Sequence, residues 1–170
     1  VLGAILGNGS LTASQHVCFT THDHHIRDRI GSLLPRGIYI RPYGRMDDLT
    51  YSISTGPQRK GIKHGSNTVL EALKSMGLMG KSSRYKFIPN EYKYNSVDVR
   101  LGVLNGLMDT DGCISGHGKG VEYLTASCQL FLDVQEVVQS LDFGYMCLVF
   151  CGEELAWCSC LLYTSDAADE

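Results

Sequence analysis

Asp109 and Asp111 close an apolar stretch, Leu104-Asn-Gly-Leu-Met-Asp-Thr-Asp-Gly112, whose composition predicts a helix ending at the Asp-Gly step. A helix C-terminus carries partial negative charge, so an acid there costs about 0.3–1 kcal/mol unless a cation sits beside it. A divalent metal supplies that compensation, because hard cations take carboxylate oxygens and keep several waters. The plainer alternative is a surface Asp-Gly turn that only stops the helix. A second group is basic. Residues 27–63 hold eight Lys or Arg against three acids, and Arg36, Arg41, Arg45, Arg59, Lys60 and Lys63 fall on or beside expected strands. They are either contacts to a polyanion, whose affinity would then fall steeply with salt, or a solvated basic face. His22-Asp-His-His25 reads as the capped polar first turn of a helix rather than a metal site. None of the seven Cys residues forms a C-x2-C pair, which favours reduced thiols over zinc.

The elements that position these residues come in two copies. At an offset of 103, Gly3 pairs with Gly106, Asn8 with Asp111, Gly9 with Gly112 and Leu11 with Ile114. At an offset of 104, Phe19 pairs with Tyr123, Thr21 with Thr125, Asp23 with Ser127, Ile26 with Leu130, Ile30 with Val134 and Leu33 with Val137. Each copy reads helix, strand, strand, helix. In the first, residues 1–7 end an apolar helix, 11–21 form a hairpin about the turn at 13–15, and Asp23 caps a helix closed by Pro35 and Gly37. Strands at 38–41 and 49–55 and a helix at 67–76, ended by Gly77, follow. Residues 78–95 connect the copies, with Gly80, Ser82, Ser83 and Pro89 breaking regular structure. Ser96 caps a helix over 97–110, strands follow near 112–115 and 121–126, and a helix spans 128–141. The second copy is expected to lack most of its last strands and its final helix.

The expected fold is therefore α/β (α+β), with units at 1–77 and 96–159, the second truncated, joined by the 78–95 connector. The chain starts at Val1 on an apolar helix and reads as a fragment. Its last eleven residues, 160–170, resemble the translation of a sequencing adapter and are set aside as non-native. Charge is uneven: residues 1–100 carry 14 Lys or Arg and 7 acids, whereas 101–159 carry Lys119 alone against eight acids. That asymmetry assigns a polyanion partner to the first half. No run of about 18 apolar residues marks a membrane span, and no secretory leader is visible, so a cytoplasmic setting is expected.

LNGLMDTDG at residues 104–112 resembles the LAGLIDADG motif at Leu104, Gly106, Leu107, Asp109, Asp111 and Gly112, and Leu2-Gly-Ala-Ile-Leu-Gly-Asn-Gly-Ser-Leu11 looks like its first-copy version. The connector Lys86-Phe-Ile-Pro-Asn-Glu-Tyr92, leading to Ser96 and Arg100, is similar to that of intein endonucleases of the DOD type. The resemblance covers residues 1 to about 143 and implies two pseudo-symmetric αββαββα units. It also implies motif helices packed at a pseudo-twofold axis and sheets laid over double-stranded DNA in the major groove. The last acid of each motif is implied to hold Mg2+ or another divalent cation for phosphodiester hydrolysis. Residue by residue, the catalytic and metal-binding role falls on Asp111 and on Asn8, where the family has an acid. An amide can still ligate but brings no charge, so impaired or one-strand cleavage is expected. Lys60 or Lys63 is a candidate for the family's active-site lysine. An intein setting implies host-protein flanks and protein splicing, although no splicing residue is visible here. The competing reading is a non-cutting nucleic-acid-binding remnant or an intron maturase, separable by magnesium-dependent cleavage and by duplex DNA against intron RNA.

Overall fold

The computed structural model describes residues 1–13, 15–44, 49–56, 65–114, 121–141, 145–151 and 156–162, the last two segments by their backbone alone. The expected mixed helix-and-sheet class is observed, built twice on one plan.

The first half runs α1 (Leu2–Asn8), β1 (Gly9–Ser10), β2 (Val17–Thr20), α2 (His24–Ser32), β3 (Ile38–Pro42), β4 (Thr50–Thr55) and α3 (Thr68–Ser75). Asp23 starts α2 by accepting from the His25 amide at 2.7 Å, as its type and place require. Asn67 does the same for α3 through the Leu70 amide, and its side-chain NH2 also ties the helix to the Ile53 carbonyl of β4. Gly77, at φ 70°, ends α3 in the left-handed conformation that a Cβ would disfavour. The sheet order is β1-β2-β4-β3, antiparallel throughout.

A connector containing a 3-10 turn (Ser83–Tyr85) and the short α4 (Asn90–Lys93) leads to α5 (Val97–Asp111), β5 (Gly112–Ile114), β6 (Val121–Thr125) and α6 (Cys128–Gln139). Ser96 occupies the start of α5 but makes no side-chain capping bond, a departure from the expected cap; its own amide is instead held by Asn95 Oδ1. The helix also extends one residue beyond the expected end, so that Asp111 is its last residue. Two further strands, β7 (Tyr145–Cys151) and β8 (Ala156–Leu162), give the sheet order β5-β6-β7-β8. The second half is therefore richer in strands than expected, and the β8 backbone enters the segment set aside as non-native. Its β7 pairs parallel to β6, whereas the corresponding sheet position in the first half, β4 beside β2, is antiparallel.

Both halves bury one continuous core. Ile5, Leu6 and Phe19 from the first half meet Leu104, Leu107 and Tyr123 from the second, with Leu78 and Ile88 of the connector filling the seam. Among the described residues no helix is long and apolar enough to cross a membrane.

Candidate functional site

The two motif helices α1 and α5 pack at backbone distance. A Cβ built on Gly106 would lie 2.7 Å from the Ala4 amide nitrogen, and one on Gly3 would overlap the Val103 carbonyl oxygen. Neither obstacle is a side chain that can swing aside, so both positions demand glycine. At the C-terminal end a Cβ on Gly7 would run into Thr110 Oγ1 and sit 3.2 Å from Asp111 Oδ2. The Asp111 carboxylate thus rests against the residue just before Asn8, and the two helix ends meet. Asn8 is exposed and Asp111 half-buried.

Two acids two positions apart on a helix, as Asp109 and Asp111 are, point to different sides. Asp111 faces the meeting point, while Asp109 lines a separate cavity of about 220 Å³ with Arg29 and Val1. Thr110 turns its hydroxyl back onto the Gly106 and Leu107 carbonyls. Thr110 and Asp111 both lie against Gly7 at the shared end, and of the two acids only Asp111 does so.

Lys86 stands over that end. Its side chain is buried, and Nζ donates to the carbonyls of Leu6, Gly7 and Gly9, each at 2.8 Å. These acceptors straddle Asn8 and place a cation at the negative end of the α1 dipole. An ammonium has three protons, so all are used. Burial pushes the Lys86 pKa down to about 8, against the pull of nearby Asp111. The Asp111 carboxyl is in turn raised by burial, with Lys86 partly offsetting the rise. Both line a cavity of about 260 Å³ together with Gly7, Ser83 and Thr125. Tyr123, wholly buried, has its pKa pushed up by burial and then by the charge of Asp111. Sequence reasoning places Lys86 only within the connector; the signal for it is a lysine embedded in the apolar run Lys-Phe-Ile-Pro.

Among the described residues no three His, Cys, Asp or Glu side chains cluster as a metal site. His22-Asp-His-His25 is a helix start, with His24 Nδ1 3.1 Å from Arg27 Nη1. Cys18, Cys113 and Cys128 are free thiols.

The strand register sorts the first sheet into two faces. Val17, Phe19, Ile38, Ile40 and Ile53 face the core, whereas the row Ser10, Cys18, Ser52 and Arg41 and the row Tyr39 and Ser54 share the opposite face. Arg41 therefore projects from a hydroxyl-rich surface. Arg36 lies instead in the exposed turn before β3. Arg45, Arg59, Lys60 and Lys63 lie outside the described residues.

Comparison with known proteins places a LAGLIDADG-like domain at residues 98–146. The chain is also similar to two proteins named replicative DNA helicase DnaB. One, from Mycobacterium intracellulare, is 36% identical over 80 residues, which is 47% of this chain and 13% of that protein. The other, from Nostoc sp., is 25% identical over 148 residues, 83% of this chain and 17% of that protein. The chain thus spans less than a fifth of the length of these relatives.

Proposed function

We propose, from the match to a LAGLIDADG-like domain over residues 98–146, that this chain is the DNA-cutting part of an intein-borne, DOD-type homing endonuclease of the LAGLIDADG family, hydrolysing phosphodiesters of double-stranded DNA with Mg2+ or another divalent cation. The observation that carries the reading is the meeting of the two motif-helix ends, with the Asp111 carboxylate against Gly7 and Lys86 on the carbonyls around Asn8. A match confined to 13% and 17% of proteins named as helicases is what a self-contained module inserted in a host protein produces. That setting implies host flanks, protein splicing and a cytoplasmic location.

The donor set suits a hard cation. Asp111 ends α5 with no basic residue in the last turn, and burial holds its carboxyl above the usual range, so a bound cation would relieve a charge that Lys86 offsets only in part. Asp111 would be its anionic ligand and Asn8 a neutral oxygen donor, with water and phosphate oxygens completing the shell, as Mg2+ accepts. When bound, the metal supplies charge stabilisation at the phosphate and a more acidic water. Lys86, fully engaged by three carbonyls, holds the end of α1 and contributes positive charge rather than a mobile proton. Arg41 on the hydroxyl-rich sheet face, with Arg36, Arg45, Arg59, Lys60 and Lys63, would meet the DNA.

Since one side of the centre carries an acid and the other an amide, the expected activity is nicking or weak cutting. The test is a supercoiled plasmid carrying the host gene without the insert, incubated with the full-length protein and magnesium. Open circles accumulating ahead of linear product support the reading, and complete linearisation overturns the impairment by Asn8. The neutral Asn8 also favours a second reading, a non-cutting nucleic-acid-binding remnant, and Asn8→Asp decides between them. Restored cutting assigns a damaged nuclease; continued binding of duplex without any cutting assigns the remnant.

A further inference from the structure

Lys86 is held from both ends, and the second grip comes from the other half of the molecule. Its ammonium is bonded to α1, while its backbone carbonyl accepts from Ser127 Oγ at 2.6 Å. Two residues on, the Ile88 amide donates to Asp133 Oδ2 at 2.8 Å. The other oxygen of Asp133 takes Lys93 Nζ at 2.8 Å and Gln129 Nε2 at 2.9 Å, and Lys93 also reaches Glu136 at 2.9 Å. Asp133 is 2% exposed, a carboxylate taken out of water on the buried side of α6.

A buried carboxylate is a costly way to hold a helix against a connector, because an apolar side chain of similar size packs there without loss of hydration. What it adds is register. Lys86 and Ile88 are both buried and Phe87 between them is only half-buried, the alternation of an extended segment. A slip of one residue would turn Lys86 outward, and the Asp133 bond to the Ile88 amide exists in one register only. We propose that Asp133, assisted by Ser127, is the positioning residue that sets Lys86 on the end of α1, so that α6 of the second half assembles the centre shared with the first. Its consequence for cleavage rests on the endonuclease reading; the positioning itself does not.

Lysine acetylation of the full-length protein by limiting acetic anhydride, read by peptide mass spectrometry, tests the positioning without DNA. Lys86 should be protected in the parent, and Asp133→Ala should raise its labelling about tenfold, as expected when a buried segment opens locally. Exposed Lys74 should keep its rate. Asp133→Asn, whose amide oxygen still accepts from Ile88, should retain much of the protection and covers the case in which the alanine variant fails to fold. Asp23→Ala, which weakens α2 without touching the connector, should leave Lys86 protected. Parent-like labelling of Lys86 in Asp133→Ala, or equal exposure in Asp23→Ala, overturns the proposal. In the plasmid assay Asp133→Ala should lower kcat while KM for DNA stays put, and Asp133→Asn should lie nearer the parent. If labelling responds as stated but no variant ever cuts DNA, the endonuclease reading fails and the positioning stands.

Discussion

In the first half the Gly9 amide bonds the Ile5 carbonyl, Gly9 pairs with Phe19 across a hairpin, and the Asp23 amide bonds the Thr21 hydroxyl at 3.1 Å. In the second half the Gly112 amide bonds the Met108 carbonyl, Gly112 pairs with Tyr123, and the Ser127 amide bonds the Thr125 hydroxyl at 3.2 Å. The two backbones thus solve the same three problems with the same bonds. The side chains at matched positions differ in kind: Asn8 against Asp111, Phe19 against Tyr123, Arg29 against Asp133. The scaffold needs only a Gly after the helix and a short polar cap, which tolerate varied neighbours. Charge, by contrast, is placed once, and the acid, the buried phenol and the connector clamp all fall on the second half.

The largest effect should come from breaking that division directly. Asp111→Asn should reduce nicking by about 100-fold or more, the scale of losing a preorganised electrostatic contact at a reacting phosphate. Asn8→Ala, which removes only a neutral oxygen donor, should reduce nicking by a much smaller factor. Burial raises the Asp111 carboxyl, so its ionised form is a cost to the fold, and the same Asp111→Asn variant should unfold at or above the parent temperature. Equal losses of nicking from the two variants would show that the halves contribute alike.

Next in size are the glycines. Gly3→Ala and Gly106→Ala each drive a Cβ into the backbone of the opposing helix and should cost about 1–3 kcal/mol or more in urea unfolding. Gly102→Ala, on the same helix α5 but with open space at its Cβ, should instead stabilise by up to about 1 kcal/mol. Parallel losses at 102 and 106 would mean that helix propensity, not the interhelical approach, governs these sites.

The two-copy plan and most of the helix ends were legible because each rests on local chemistry: a cap residue, a Gly stop, an apolar period. What was not legible depends on contacts far apart in the chain. Lys86 lies 79 residues from one of its acceptors, and Asp133 lies 45 from the amide it holds. A lysine among apolar residues and an acid on the apolar side of α6 are anomalies that pattern reading smooths over. The missing cap at Ser96 is a local departure: its side chain bonds no first-turn amide of α5, and its own amide is held by Asn95 Oδ1. The parallel entry of β7 has no counterpart in the first half and so could not be read from the repeat.

The two N-caps compare the halves at smaller scale. Asp23→Ala removes one capping bond and should cost about 1 kcal/mol. Ser127→Ala removes the cap on the Leu130 amide and also the bond to the Lys86 carbonyl, and should cost about twice as much. Equal costs would mean that the Ser127 hydroxyl does not serve the connector.

A pH dependence belongs to the connector alone. Burial lowers the Lys86 pKa to about 8, and an unfolded lysine titrates near ~10.4. Between those values the unfolded chain holds a proton that the folded chain has released, so stability should rise with pH from about 8 to about 10.5. Lys93 acts in another window: burial opposes its charge, but the bonds to Asp133 and Glu136 outweigh burial and raise its pKa, so its stabilisation is lost only above about 10.5. Subtracting the urea-unfolding free energies of Lys86→Met from those of the parent at several pH values from 7.5 to 10 removes the other titrating groups. A difference that grows in the parent's favour with pH places the buried cation at the end of α1, whereas a flat difference would mean that Lys86 is solvated and that neither half holds it.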